Sequence, residues 1–361
     1  MGIGRLRRGI RAAVLALLSV SVLAAPLPGE PEIFARLYRQ DLKRESDFYR
    51  ADPLTGLLHK PFIRLKVPWP EHPTGSLEIH TNAQGFRDDA PTPRRKAPGS
   101  IRILVTGDSH TDGLVYNAET FAKLIESGLN RRRDFPRAEA INAGVGHFSF
   151  RNYLGLLKRY RFLKPDVLIV TVYSGNDFLE AAEYLEYAGT PAPAPKPYAA
   201  RLAAAEKLDE GAVWQALNQA VYFKTFPAMI PRVAALARDS LGEIRDLCRA
   251  DGIRLLVILL PTKLDVEWGT DREKLDRVKS FLALDDSDLR AGASMREDLA
   301  DWLAREKIPF LDAARALPAK RDGAPPLFWN RDYHLSAEGH RWIADLVLAE
   351  RSGLLRGTAA P

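Results

Sequence analysis

Four short groups in this chain carry the side chains that serine-dependent acyl transfer would need, and each borders an apolar or periodic run. Gly107-Asp108-Ser109 follows the run 101–106, and Asn142-Ala143-Gly144-Val145-Gly146-His147 follows 139–142. Tyr173-Ser174-Gly175-Asn176-Asp177 follows 166–172, and Asp332-Tyr333-His334 precedes 336–350. Acyl transfer requires a nucleophilic hydroxyl, a base to take its proton, a group that orients the base, and donors where the oxyanion forms. Ser109, His334 and Asp332 suit the first three roles. The backbone N–H groups of Ser109 and of the Gly146–His147 turn, with the Asn176 amide, suit the fourth. Asp108, Gly144 and Asp177 are supporting residues of the same turns. Taken singly, each group reads equally as a turn, a cap or a satisfied loop pair. Together, at positions one sheet edge can collect, they point to catalysis.

A metal site is the competing reading. Asp108-x-His110 and Asp332-x-His334 are spaced like ligand pairs of dinuclear phosphoesterases. The second acid such a site wants after Gly-Asp is displaced to Asp112, and the third group lacks a histidine. The expectation is therefore no metal and no cofactor. His59, His72, His80, His110 and His340 read as surface or cap residues. Phe148, Tyr173, Trp329 and Tyr333 flank the candidate groups.

The elements that must position these residues alternate steadily. The run Ile101–Thr106 ends at Gly107, and Phe121, Leu124, Ile125 and Leu129 then recur at helical spacing. Strands are expected at 139–142, 166–172, 253–260 and 308–311, with helices after Ser149, over 236–250 up to Gly252, and over 336–350. Thr270–Glu273 and Ser294–Glu297 have the form of capping boxes. Alternating strands and helices predict a parallel sheet with helices on both faces, whose ligands bind at the carboxyl ends of the strands. Residues 179–232 are too long for an ordinary crossover and read as a helical insertion with an Ala/Pro tract at 191–197. This insertion leaves the sheet beside Asn176, and Trp214, Tyr222, Phe223 and Phe226 within it are candidates to face a ligand.

Residues 1–24 differ in kind. Arg5, Arg7, Arg8 and Arg11 precede an apolar stretch ending in Val22-Leu23-Ala24, the pattern of a secretory signal peptide or, uncleaved, an N-terminal anchor. Of 52 basic and 46 acidic residues, those four arginines account for most of the +6 net charge, leaving 48 against 46. That balance gives no case for nucleic acid. Arg131-Arg132-Arg133 reads as a solvated helix end. The single cysteine, Cys248, excludes an intrachain disulfide and falls on an apolar helical face. Residues 25–98 form a proline-rich, β-rich extension, with alternating runs at 62–67 and 76–80 that the intervening prolines keep from forming a continuous sheet. The catalytic domain is expected over 99–352.

The ordered set Gly107-Asp108-Ser109, Asn142–His147, Gly175-Asn176-Asp177 and Asp332-x-His334 resembles the SGNH (GDSL-like) hydrolase superfamily. Asn82-x-x-Gly85-Phe86-Arg87 also resembles a segment preceding the serine block in some bacterial members. The resemblance implies a three-layer α/β/α fold with a parallel, flavodoxin-like sheet, and metal-independent Ser–His–Asp ester chemistry at Ser109, His334 and Asp332, with an oxyanion hole at Ser109, Gly146, His147 and Asn176. The sequence departs from the family at two points. His147 stands where an oxyanion glycine is usual, and the acid lies two residues before the histidine where three is commoner. The expected protein is an exported esterase, periplasmic or anchored to the outer face of the inner membrane, which removes O-acetyl or other short acyl groups from a polysaccharide. An acylated lipid is a further substrate class. The alternatives are an O-acyltransferase using the same residues and an inactive carbohydrate-binding module.

Overall fold

The computed structural model describes residues 29–355 apart from 133–134, 191, 206, 208–213, 268–271, 318–322, 324 and 351. Residues 1–24, expected to be a signal segment, together with Arg133, Pro191 and the first half of the Thr270–Glu273 box, lie outside the described residues.

Five parallel strands form the central sheet: β5 (Ile101–Thr106), β6 (Ala138–Asn142), β7 (Val167–Tyr173), β8 (Arg254–Leu260) and β9 (Phe310–Asp312). Their spatial order is β9-β8-β7-β5-β6. The order reverses beside β5, so a crevice opens at the carboxyl ends of β5, β6 and β7. The strands are apolar without interruption because both faces are covered. In β7, Leu168, Val170 and Val172 join one core, while Val167 and Ile169 join the other. The first face is covered by α5 (Phe150–Tyr160), α6 (Asp177–Gly189), α9 (Met229–Asp251) and α13 (Ala291–Arg305). The second carries α4 (Phe121–Asn130) and α14 (Ala337–Glu350). This is the expected three-layer α/β/α architecture.

The N-terminal extension begins with two helices the alternation did not signal, α1 (Glu30–Leu37) and α2 (Arg39–Arg44). Two antiparallel hairpins follow: β1 (Tyr49–Asp52) with β2 (Gly56–His59), and β3 (Arg64–Pro68) with β4 (Ser76–His80). The prolines between β3 and β4 do not keep those strands apart. Pro68 ends β3, and Pro70 and Pro73 lie in the connecting loop, where no ladder N–H is needed. Ile33, Phe34, Tyr49, Leu57 and Leu58 share one core cluster with sheet residues.

Residues 179–232 contain most of α6, then α7 (Ala199–Ala205) and α8 (Trp214–Thr225). Tyr222 and Phe223 are not ligand-facing: both are buried in the main core, and Phe226 packs against it. Pro231 sits in the first turn of α9, where a missing N–H costs nothing, so the helix starts seven residues earlier than the periodicity indicated. Gly252 ends it in the left-handed conformation. Ser294 caps no helix. Its N–H bonds the Arg290 carbonyl inside α13, and the reciprocal cap belongs instead to Asp285 and Asp288. Cys248 is buried, as expected.

Candidate active site

The serine turn is built by close packing. Gly107 has no room for a side chain: a Cβ there would lie 1.8 Å from Thr171 Oγ1 and 2.0 Å from Thr111 Oγ1. The chain therefore turns tightly out of β5 into the short helix α3 (Ser109–Asp112), capped by Asp108, whose carboxylate accepts the His110 N–H at 2.9 Å. Ser109 is the first residue of α3, and a first-turn amide has no acceptor within its own helix.

His334 Nε2 lies 2.7 Å from Ser109 Oγ, and His334 Nδ1 hydrogen-bonds Asp332 Oδ1. Burial disfavours the imidazolium, but the Asp332 hydrogen bond and charge outweigh burial and hold the His334 pKa above its ordinary value. Burial would likewise raise Asp332, yet His334 keeps it below the usual carboxylate range. Tyr333, between them, adopts a φ of 67°, which lets acid and base two residues apart face each other. Asp108 is buried, and desolvation pushes its carboxyl up to about 7 against the opposing pull of His334.

Gly146 stands beside the serine, since a Cβ on it would lie 3.9 Å from Ser109 Cβ and 2.6 Å from the Tyr49 hydroxyl. His147 takes a left-handed φ of 66°, the backbone a glycine favours, although it bears a side chain. Its carbonyl accepts the Tyr38 hydroxyl at 2.9 Å, and Tyr38 in turn accepts Asn152 Nδ2 at 2.8 Å. Asn142 joins this turn to the serine helix by donating to the Thr111 carbonyl at 2.9 Å and accepting the Gly144 N–H at 3.1 Å. Asn176 is buried at the start of α6 and donates to Glu180 Oε1 at 3.0 Å. Asp177 anchors the same turn by accepting Tyr153 Oη at 2.6 Å and the Tyr173 N–H at 3.0 Å.

Several residues to which the sequence reading gave no part in the site shape it. Arg87 is fully buried and donates to Asn117 Oδ1, Asp112 Oδ1 and the carbonyls of Asp112, Gly113 and Val115. His59 Nε2 meets the other Asp112 oxygen at 3.1 Å, so Asp112 is committed to this network. Glu71, from the β3–β4 loop, accepts the N–H groups of Asn330 and Arg331 at 2.6 and 2.9 Å, just ahead of Asp332. Trp69 packs edge-on against Trp329. His59, His72, His110 and His340 are buried, not surface residues. Each has a specific neighbour: Asp112, Glu119, the Tyr173 ring and the Phe121 N–H. The ligand-like pairs Asp108/His110 and Asp332/His334 serve as a helix cap and a carboxylate–imidazole pair.

Beside the Gly146–His147 turn lies a cleft of about 250 Å³ lined by Tyr38, Asp41, His147, Glu180, Glu183 and Glu186, among others, from α1, α2, α6 and the 193–196 segment. Asp41 and Glu45 approach His147 at the rim, but Arg44 reaches both carboxylates at 3.1 and 3.2 Å and already supplies the positive charge a cation would bring.

No family model matches this chain, and no curated protein matches it. Among the solved structures that resemble it are lipolytic and acyl-hydrolysing proteins. The lipase/acylhydrolase from Enterococcus faecalis is 15% identical, with a TM-score of 0.37 over 72% of this chain and 100% of its own. A member of the lipolytic G-D-S-L family from Veillonella parvula is 12% identical, with a TM-score of 0.38 over 70% and 98%. An acetylxylan esterase from Geobacillus stearothermophilus, solved as a catalytic mutant, is 13% identical, with a TM-score of 0.36 over 69% and 93%.

Proposed function

We propose that this chain is a serine esterase in which Ser109 is the nucleophile, His334 the general base and Asp332 its orienting acid. The observation that carries this reading is the hydrogen-bonded chain from Ser109 Oγ through His334 to Asp332, set beside the Gly146 turn. His334 takes the hydroxyl proton as Ser109 attacks the ester carbonyl, and Asp332 stabilises the imidazolium that forms. The N–H groups of Ser109 and Gly146 or His147, with the Asn176 amide, receive the oxyanion. His334 then returns the proton to the leaving alcohol, and water repeats the cycle on the acyl-enzyme.

The substrate we infer is a short acyl ester on a sugar polymer. Carboxyl groups lining the cleft beside the oxyanion turn suit sugar hydroxyls and repel a long alkyl chain. Trp69, half-buried against Trp329 near the His334 loop, offers an aromatic face to a sugar ring. The same residues would transfer the acyl group to a sugar where water is excluded. The charge pattern of residues 1–24 supports export, with the segment either cleaved or kept as an anchor.

The test is a chain-length series of nitrophenyl esters together with fluorophosphonate labelling. Turnover should be highest for acetyl and fall with length, and the label should map to Ser109. Rates that climb towards octanoyl would overturn the short-acyl reading, and labelling at another residue would overturn the nucleophile.

A further inference from the structure

Glu180 takes no part in the mechanism above, yet it touches the side chain on which the oxyanion hole depends. Asn176 is the N-cap of α6, and Glu180 lies one helical turn later, so the two face each other. Asn176 Nδ2 donates to Glu180 Oε1 at 3.0 Å. A carboxamide has a donating and an accepting end, and only the donating end can stabilise an oxyanion. An acceptor at Glu180 selects the orientation. One N–H of Nδ2 is held by Oε1, and the other remains for the substrate. With the amide turned over, its oxygen would face the Glu180 oxygen in a buried site. Asn176 Oδ1 is closed off from solvent without a hydrogen-bond partner, so among the described residues the bond to Glu180 alone fixes this amide.

We propose that Glu180 is a positioning residue that holds the Asn176 amide with an N–H towards the oxyanion. The proposal rests on the esterase reading and extends it. The electrostatics are compatible with it. Burial, with the Asp177 and Glu183 carboxylates on α6 and Asp108 beside Ser109, pushes the Glu180 pKa well above its ordinary value. Oε1 can accept from Nδ2 in either protonation state of this carboxyl.

A double-mutant cycle on an acetyl ester tests this, using Glu180→Leu, Glu180→Gln, Asn176→Ala and the Asn176→Ala/Glu180→Leu pair. Losing the acceptor should lower kcat by about 10- to 100-fold through misplacement of the donor, with KM nearly unchanged. Glu180→Gln keeps an acceptor oxygen and should restore most of the rate. In the Asn176→Ala background, Glu180→Leu should have no further effect, because its target is gone. Wild-type turnover in Glu180→Leu would overturn the proposal. So would equal losses in the Leu and Gln variants, or a double mutant whose loss is the product of the singles. Should Glu180→Leu fail to fold, Glu180→Ala takes its place in the cycle. Failure of the underlying esterase reading would show separately, as undiminished activity in Ser109→Ala.

Discussion

Ser109 and His334 are useful to each other only while the imidazole is neutral, and this ties activity to pH with a definite sign. Asp332 raises the His334 pKa, so activity should fall as pH drops through a value above the ordinary histidine pKa of about 6.5. Asp332→Asn removes that support. Its acid limb should move to lower pH while kcat falls by about 10⁴-fold, as for loss of the tautomer-fixing acid in a serine triad. A pH–rate profile of both proteins checks this, and an unmoved limb would mean that another group orients the base. Ser109→Ala should lower kcat by about 10⁶-fold and leave the melting temperature close to wild type. Asn176→Ala should cost about 10²- to 10³-fold in kcat with little change in KM. The residues proposed to touch substrate were legible in the sequence because each sits in a short group with an unusual composition. Their partners were not. Glu180 is one glutamate on an amphipathic helix, and Tyr38 is one of 11 tyrosines, so nothing local distinguishes either from its neighbours.

At the scale of elements, two devices hold the site that periodicity could not reveal. Glu71 clasps the backbone ahead of Asp332, so the base-bearing loop is pinned by a hairpin some 260 residues away in sequence. Glu71→Ala should release the Asn330 and Arg331 amides to hydrogen exchange and lower kcat, while Ser109 remains reactive to a fluorophosphonate at a reduced rate. Arg87 satisfies five acceptors around the end of α3. Arg87→Leu should destabilise the protein by about 3–5 kcal/mol, because it takes the donor from five buried acceptors, one Asp112 carboxylate oxygen among them. His340 accepts the first N–H of α4 and is held neutral by burial, its pKa lowered to about 3. Between about pH 6.5 and pH 3 the unfolded chain binds a proton there that the folded chain refuses, so stability falls as pH falls. Denaturant titrations across that range should give His340→Gln a shallower slope than wild type. The strands and the long helices followed from hydrophobic period. The extension's helices did not, because α2 has no buried residue and α1 has only Ile33 and Phe34.

On the scale of the whole molecule, the extension is part of the core. Tyr38 supports the His147 carbonyl, Tyr49 backs Gly146, and Arg87 and Glu71 brace the serine and histidine segments. A chain beginning at residue 99 should therefore melt at a lower temperature and lose esterase activity, even with every reacting group present.

The pieces of this site are also strung along the chain in a particular order. The supports, the proposed nucleophile and the proposed oxyanion donors all fall between Tyr38 and Glu180, while the proposed base arrives only at His334. As a ribosome delivers the chain from its N-terminus, the serine turn and its donors emerge well before anything that can take the serine's proton. Until the His334 loop is in place, the Ser109 hydroxyl lacks the imidazole it meets in the folded molecule and stays an ordinary alcohol. Its pairing with a base thus waits on the C-terminal part of the chain.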